Sequence, residues 1–174
     1  MKDAVGSSLL LYVVIIVVGI IGISVVASNS YSKAYKAKNN ITSVINNYYM
    51  LNVDTSSLNE DYKFQECFSN ENCINKIIGA LNNLAYKPKI NKDVCSSKNI
   101  LKKIEKAGET SSLIYPKASS DMKGFCIYKN IVNDREYYYS VVTFSYLNLN
   151  VLGIGTLYKN PVYGETRIFY DYAN

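Results

Sequence analysis

Hydrophobic positions in this chain follow three kinds of pattern in turn, and each marks a different kind of element. Across residues 9–27 nearly every position is apolar: only Tyr12, Gly19, Gly22 and Ser24 carry anything else, and no charge falls between Asp3 and Lys33. That length is about what a helix needs to cross the hydrocarbon core of a bilayer. Fourteen of the nineteen residues are Leu, Ile or Val, each favouring insertion by roughly 0.3–0.6 kcal/mol near the helix centre, which outweighs two glycines and a serine.

Beyond Ala27 the apolar positions thin to one stripe. Tyr31, Ala34, Tyr35, Lys38 with its apolar stem, Ile41, Val44, Ile45, Tyr48 and Tyr49 recur at helical spacing, and neither proline nor glycine appears again before Gly79. The helix is therefore predicted to continue past the membrane, from residue 9 to residue 50, over roughly 60 Å. Its first half, residues 7–27, suits lipid or other apolar helices, and its second half, residues 28–50, suits a domain folded against one face.

Polar residues 52–61 end this helix. A second amphipathic pattern follows in Ile74, Ile77, Ile78, Leu81, Leu84 and Ala85, with Asn70 or Asn72 as its cap and Pro88 as its stop. A third, shorter helix is predicted over residues 98–107. It has Ser96 or Ser97 before it, Ile100, Leu101 and Ile104 inside, and Gly108 as its end. Lys98, Lys102, Lys103 and Lys106 form its outer face, read as a solvated surface, or less simply as a docking patch for an acidic partner.

From Gly124 the chain becomes rich in Tyr, Val and Thr with Asn, Gly and Pro punctuation, the composition of antiparallel strands. Strands are predicted near residues 125–132, 136–147, 151–158 and 166–172. Turns should fall at Asn133-Asp134, near residues 148–150 and at residues 160–164. The expected fold class is α+β: a long N-terminal helix packed on a C-terminal antiparallel sheet of about four strands, with two short helices between. Residues 51–174 would form one head domain, since 174 residues leave no room for a second.

Charge and cysteine content refine this picture. A net charge of +5 from scattered lysines does not make a nucleic-acid binder. The chain has no histidine, which removes the common general base and the usual triads, and no carboxylate pair stands out. Asp134, Arg135 and Glu136 read as a local ion pair in a turn, and Gly153-Ile154-Gly155 is too short for a phosphate loop. No enzymatic activity, cofactor or metal site is expected. Cys67, Cys73, Cys95 and Cys126 all lie beyond the apolar segment, as in a small domain of an oxidising compartment. Of three pairings we favour Cys67 with Cys73 and Cys95 with Cys126, because the first encloses only a short polar loop. The lysine count after the apolar segment exceeds that before it, which by itself would place the head in the cytoplasm. The cysteines argue for the opposite side, and we weight them more. Asn40-Ile41-Thr42 is a glycosylation sequon, meaningful only in a host that uses one.

Tyrosines crowd the last strands, and alternation would send about half of them to solvent. Tyr137, Tyr139, Tyr158 and Tyr170 are the candidate contact surface, with plain strand filler as the simpler reading.

The order of parts resembles a type IV pilin or pseudopilin. Residues 1–6 form a short charged leader ending in Gly6; a hydrophobic segment begins at Ser7; an amphipathic continuation and a disulfide-bearing sheet follow. The resemblance implies cleavage between Gly6 and Ser7 by a prepilin peptidase. It also implies a membrane phase followed by assembly with copies of itself or other pilin-like subunits, through Leu9, Leu10, Leu11, Val13, Val14, Ile16, Val17 and Ile20. Counting from Ser7, the fifth residue is Leu11, where the family usually has glutamate, which points to a minor or tight-adherence-type subunit. The implied product is a structural subunit of a surface filament or secretion pseudopilus, displaying its head for assembly and adhesion. Two other readings remain: a monomeric single-pass protein with an extracytoplasmic ligand-binding domain, and a secreted domain released after Val25-Val26-Ala27.

Overall fold

The computed structural model describes residues 2–51, 67–68, 71–84, 86, 88–90, 92–117, 123–148 and 156–170. Helix α1 (Lys2–Leu51) is unbroken for 50 residues, about 75 Å, and begins seven positions earlier than the apolar pattern alone indicates. Its buried positions are Ala34, Ala37, Ile41, Ile45 and Tyr48, one stripe at helical spacing. Helix α2 (Glu71–Asn83) packs along α1 through Cys73, Ile77 and Leu81. Asn72 lies inside this helix rather than capping it, and Asn70 is outside the described residues.

Two further helices follow, α3 (Lys92–Cys95), a single turn that the sequence pattern does not announce, and α4 (Lys98–Ile104). Ser97 occupies the N-cap of α4 without a side-chain bond. The helix stops three residues short of the expected end because Gly108, at φ +87°, instead serves the turn Lys106–Glu109 that leads into the sheet.

The sheet contains β1 (Thr110–Tyr115), β2 (Phe125–Ile131), β3 (Glu136–Asn148), β4 (Thr156–Glu165) and β5 (Phe169–Tyr170), antiparallel in the order β1-β2-β3-β4, with β5 also on β3. Two features correct the sequence reading. Strand β1 was not expected, and residues 160–164 form strand instead of a turn. Registers Glu136↔Tyr170, Ser140↔Glu165 and Leu147↔Tyr158 place β4 and β5 along the same edge of β3. They act as one strand interrupted at Thr166, whose N–H donates to the Tyr139 carbonyl and whose Oγ1 accepts the Tyr139 N–H, each at 2.9 Å. Pro161 fits because the Phe144 N–H and carbonyl point the other way, toward the Tyr86 hydroxyl. The missing proline donor therefore faces away from β3, on an outer strand. The expected strand start at residues 151–155 lies outside the described residues. At the β2–β3 turn Asn133 Oδ1 accepts the N–H groups of Arg135 and Glu136, the local bond that lets Asn nucleate turns. Glu136 accepts from Asn133 Nδ2, and among the described residues the ion pair is Lys106–Glu165, so the expected pairing around Arg135 is not formed.

Strand parity divides the core in two. Phe125, Ile127, Tyr137, Tyr139, Val141, Val162 and Phe169 pack under α1 and α2, while Cys126, Tyr128, Val142 and Phe144 pack under α3 and α4 with Ile90, Ile100 and Ile104. The sheet is thus covered on both faces. Cys67 is bonded to Cys73 within the first layer, and Cys95 to Cys126 ties α3 to β2 in the second.

Candidate assembly and membrane helix

From Ser8 to Asn29 every residue of α1 is exposed. Leu9, Leu10, Leu11, Val13, Val14, Ile16, Val17 and Ile20 all present their surface outward, with Val17 at 48% the most covered of them, by its own helical neighbours. A side chain added at Gly19 or Gly22 would also meet nothing. So continuous an apolar surface on a soluble monomer would be an association site. By length and composition this helix can cross a membrane, and a long apolar N-terminal helix of this kind is consistent with membrane anchoring.

Cover begins one turn after the apolar run. Ser30 Oγ donates to the Tyr146 carbonyl at 2.8 Å and accepts the Tyr146 N–H at 3.0 Å, taking the place of a strand partner at the end of β3. One turn on, Thr143 Oγ1 donates to the Ala34 carbonyl at 2.8 Å in a buried setting. Alanines at 34 and 37 allow this close approach of helix to strand. Gly164 does the same for Lys38, whose stem crosses β4 so closely that a Cβ there would lie 2.5 Å from Lys38 Cδ. At the far end the Arg167 N–H donates to Asn46 Oδ1 at 3.3 Å. Helix and sheet are therefore joined along four turns, and no hinge residue separates the covered half from the bare half. Neither Ser30 nor Thr143 carries a signal in the sequence, because a serine after an apolar run reads equally as a solvated position.

Gly6 and Ser7, the expected cleavage junction, lie within α1. Of the candidate contact tyrosines, Tyr137 and Tyr139 are core residues, 5% and 1% exposed. They lie beneath α1, with Phe68 edge-on to Tyr139 at 5.0 Å and Phe169 beside both rings. The expectation fails because it allowed the sheet one wet face, whereas both are covered. Tyr170 is exposed, and the Tyr158 side chain lies outside the described residues.

Three other tyrosines, Tyr86 from the segment after α2 and Tyr128 and Tyr138 from the sheet, serve as polar pins. Tyr86 Oη sits between β2 and β3, donating to the Gly124 carbonyl at 2.7 Å and accepting the Phe144 N–H at 2.8 Å. Burial raises its pKa above the ordinary tyrosine value. Tyr128 donates to the Cys95 carbonyl and is likewise raised by burial. Tyr138 donates to Glu109 Oε2 at 2.6 Å; burial first, and then this carboxylate, push it up to about 12. Two of the lysines expected on the outer face of this helix, Lys103 in α4 and Lys106 just beyond it, turn back onto the same face. Lys106 bonds Glu165 at 3.0 Å and lies over Tyr138, and Lys103 lies over Tyr163. The bond to Glu165 holds Lys106 above its ordinary pKa. Lys98 and Lys102 remain exposed on the outer face. The sequon Asn40-Ile41-Thr42 lies mid-helix, with Ile41 fully buried. Comparison with protein-family models, with curated proteins and with solved structures finds no match to this chain.

Proposed function

We propose that this protein is a pilin-like structural subunit of a surface filament or secretion pseudopilus. It is held in the membrane by residues 7–27, trimmed after Gly6 by a prepilin peptidase, and assembled with copies of itself or other pilin-like subunits. The head, residues 51–174, stands outside the cytoplasm and forms the outer surface for assembly and adhesion. One observation carries this reading: α1 runs unbroken from a half with no cover into a half that is the spine of the head. A domain tethered for ligand capture gains nothing from a rigid shaft, whereas a subunit whose bare helix packs among other helices needs its head fixed to that helix. The two disulfides support an oxidising compartment for the head. The reading as a monomeric ligand-binding domain leaned on an exposed tyrosine face, and Tyr137 and Tyr139 are buried.

Terminal peptide sequencing of protein from its native membrane tests the trimming step. A mature terminus at Ser7 is expected, and an intact Met1 would refute it. Val17→Asp places a charge in the middle of the bare helix, at roughly 2.5–3.5 kcal/mol against insertion. Filament incorporation should be lost, and incorporation at the wild-type level would refute the assembly role.

A further inference from the structure

The head is charged unevenly along α1. Thr143 bonds the Ala34 carbonyl and pairs with Phe125, so the start of β2 stands level with Ala34, about 10 Å along the helix from Ala27. Lys33 and Lys36 are exposed on α1 at this level. Lys123 precedes Gly124, and Gly124 is pressed on Pro88, which brings exposed Lys89 alongside. Tyr115 pairs with Ile127, so Lys117 runs toward the same end, where its carbonyl accepts from Lys92 Nζ at 3.2 Å. These six lysines ring the end of the head that faces the bare helix. Among the described residues Asp93 is the one acidic side chain there. Glu109, Asp134, Glu136 and Glu165 all stand farther along, beside or beyond Tyr138 and the β2–β3 turn. Two exposed tyrosines, Tyr31 and Tyr35, occupy the same turns of α1 as Lys33 and Lys36.

We propose that this end of the head is a docking surface for anionic lipid headgroups, with Tyr31 and Tyr35 at the interface and the lysine ring against lipid phosphates. The proposal rests on reading residues 9–27 as a bilayer-spanning anchor, but not on filament assembly. Three observations select a lipid surface. The ring is continuous with the apolar helix, so a bilayer around residues 9–27 meets it directly. Its height matches the headgroup layer, about 5–8 Å on each side of the hydrocarbon core, plus the reach of a lysine stem. Its sign complements anionic lipids, and tyrosine beside lysine is the pairing found at membrane interfaces. Binding there would hold the head upright on the membrane.

Full-length protein reconstituted in vesicles of phosphatidylcholine, alone or mixed with phosphatidylglycerol, tests this directly. Flotation comes first: protein that fails to float with the vesicles refutes the anchor reading, and with it the ground of the proposal. In floated protein a membrane-impermeant amine reagent labels exposed lysines, and peptide mass spectrometry gives the rate at each. Phosphatidylglycerol should slow labelling at Lys33, Lys36, Lys89 and Lys123 by at least about threefold, and high salt should reverse the effect. Lys76 and Lys129, toward the other end, should keep their rates. The triple substitution Lys33→Gln, Lys36→Gln, Lys123→Gln, all at exposed sites, should abolish the lipid dependence at Lys89 and Lys92. Equal rates in the two vesicle types overturn the proposal, as does slowing that affects Lys76 and Lys129 equally.

Discussion

The Tyr86 hydroxyl offers the sharpest test of how the head is held together. Tyr86→Phe keeps the ring, 7% exposed, and removes one oxygen. The Gly124 carbonyl and the Phe144 N–H then lose a partner together, where Tyr86, Gly124 and Phe144 are all buried. A buried backbone group left unpaired costs about 1–3 kcal/mol, partly recovered by relaxation, so a loss of about 2–4 kcal/mol is expected. Against a total stability of about 5–15 kcal/mol this is large. It corresponds to a fall in Tm of roughly 6–15 °C for a domain of this size. The assay is denaturant unfolding of full-length protein in detergent micelles, with amide exchange at Phe144 as the local probe. Burial raises the hydroxyl's pKa, so its contribution is complete below pH 10, the ordinary tyrosine value, and declines as pH rises above it, because the unfolded chain then ionises first. The gap between wild type and variant should narrow above about pH 10. A loss below about 0.5 kcal/mol with unchanged exchange at Phe144 would refute the bridging role.

Three further expectations follow the same logic. Replacing Cys95 and Cys126 with alanine opens a loop of 31 residues, and replacing Cys67 and Cys73 opens one of 6. On the chain-entropy account the first pair should cost about 3–4 kcal/mol and the second about 2, measured by urea unfolding, and a reversed order would refute it. Gly124→Ala puts a Cβ 2.4 Å from the Pro88 carbonyl at a residue with φ +76°. It should destabilise by more than about 2 kcal/mol, whereas Gly164→Ala, which meets only the flexible Lys38 stem, should cost less than half of that. Tyr138, held up to about 12 by burial and Glu109, contributes stability below pH 10 that is lost as pH rises toward 12. Tyr138→Phe should therefore flatten the alkaline unfolding curve followed by circular dichroism.

What the sequence disclosed depended on how strongly local pattern alone determined each element. The bare and striped halves of α1 were legible because the chain has no helix breaker before Gly79 and the spacing of Ala34, Ile41, Ile45 and Tyr48 admits no other element. Strands β2 and β3 were legible from composition. Strand β1, Thr110–Tyr115, was missed because three polar residues precede its apolar end. Asn160-Pro161 and Gly164 read as a turn because proline's effect depends on which side of the strand its nitrogen faces, a fact of register. The misplaced tyrosines had a signal that went unused. Tyr137-Tyr138-Tyr139, Val141-Val142 and Phe144 form a nearly continuous apolar run, the mark of a strand covered on both faces rather than on one. Of the candidate site, the bare helix and its continuation against the head were visible in the sequence, but the bonds that join them were not, since Ser30 and Thr143 acquire meaning only when helix and strand meet.

The unbroken course of α1 also fixes a phase. At 3.6 residues per turn, one residue inserted between Ala27 and Ser30 would rotate the head by about 100° about the shaft and lift it by about 1.5 Å, leaving anchor and head each internally unchanged. Seven inserted residues would bring it nearly back into register, about 10 Å higher. The direction in which the head looks is therefore encoded in the number of residues between two apolar patterns, and surfaces on the bare helix and on the head must vary together.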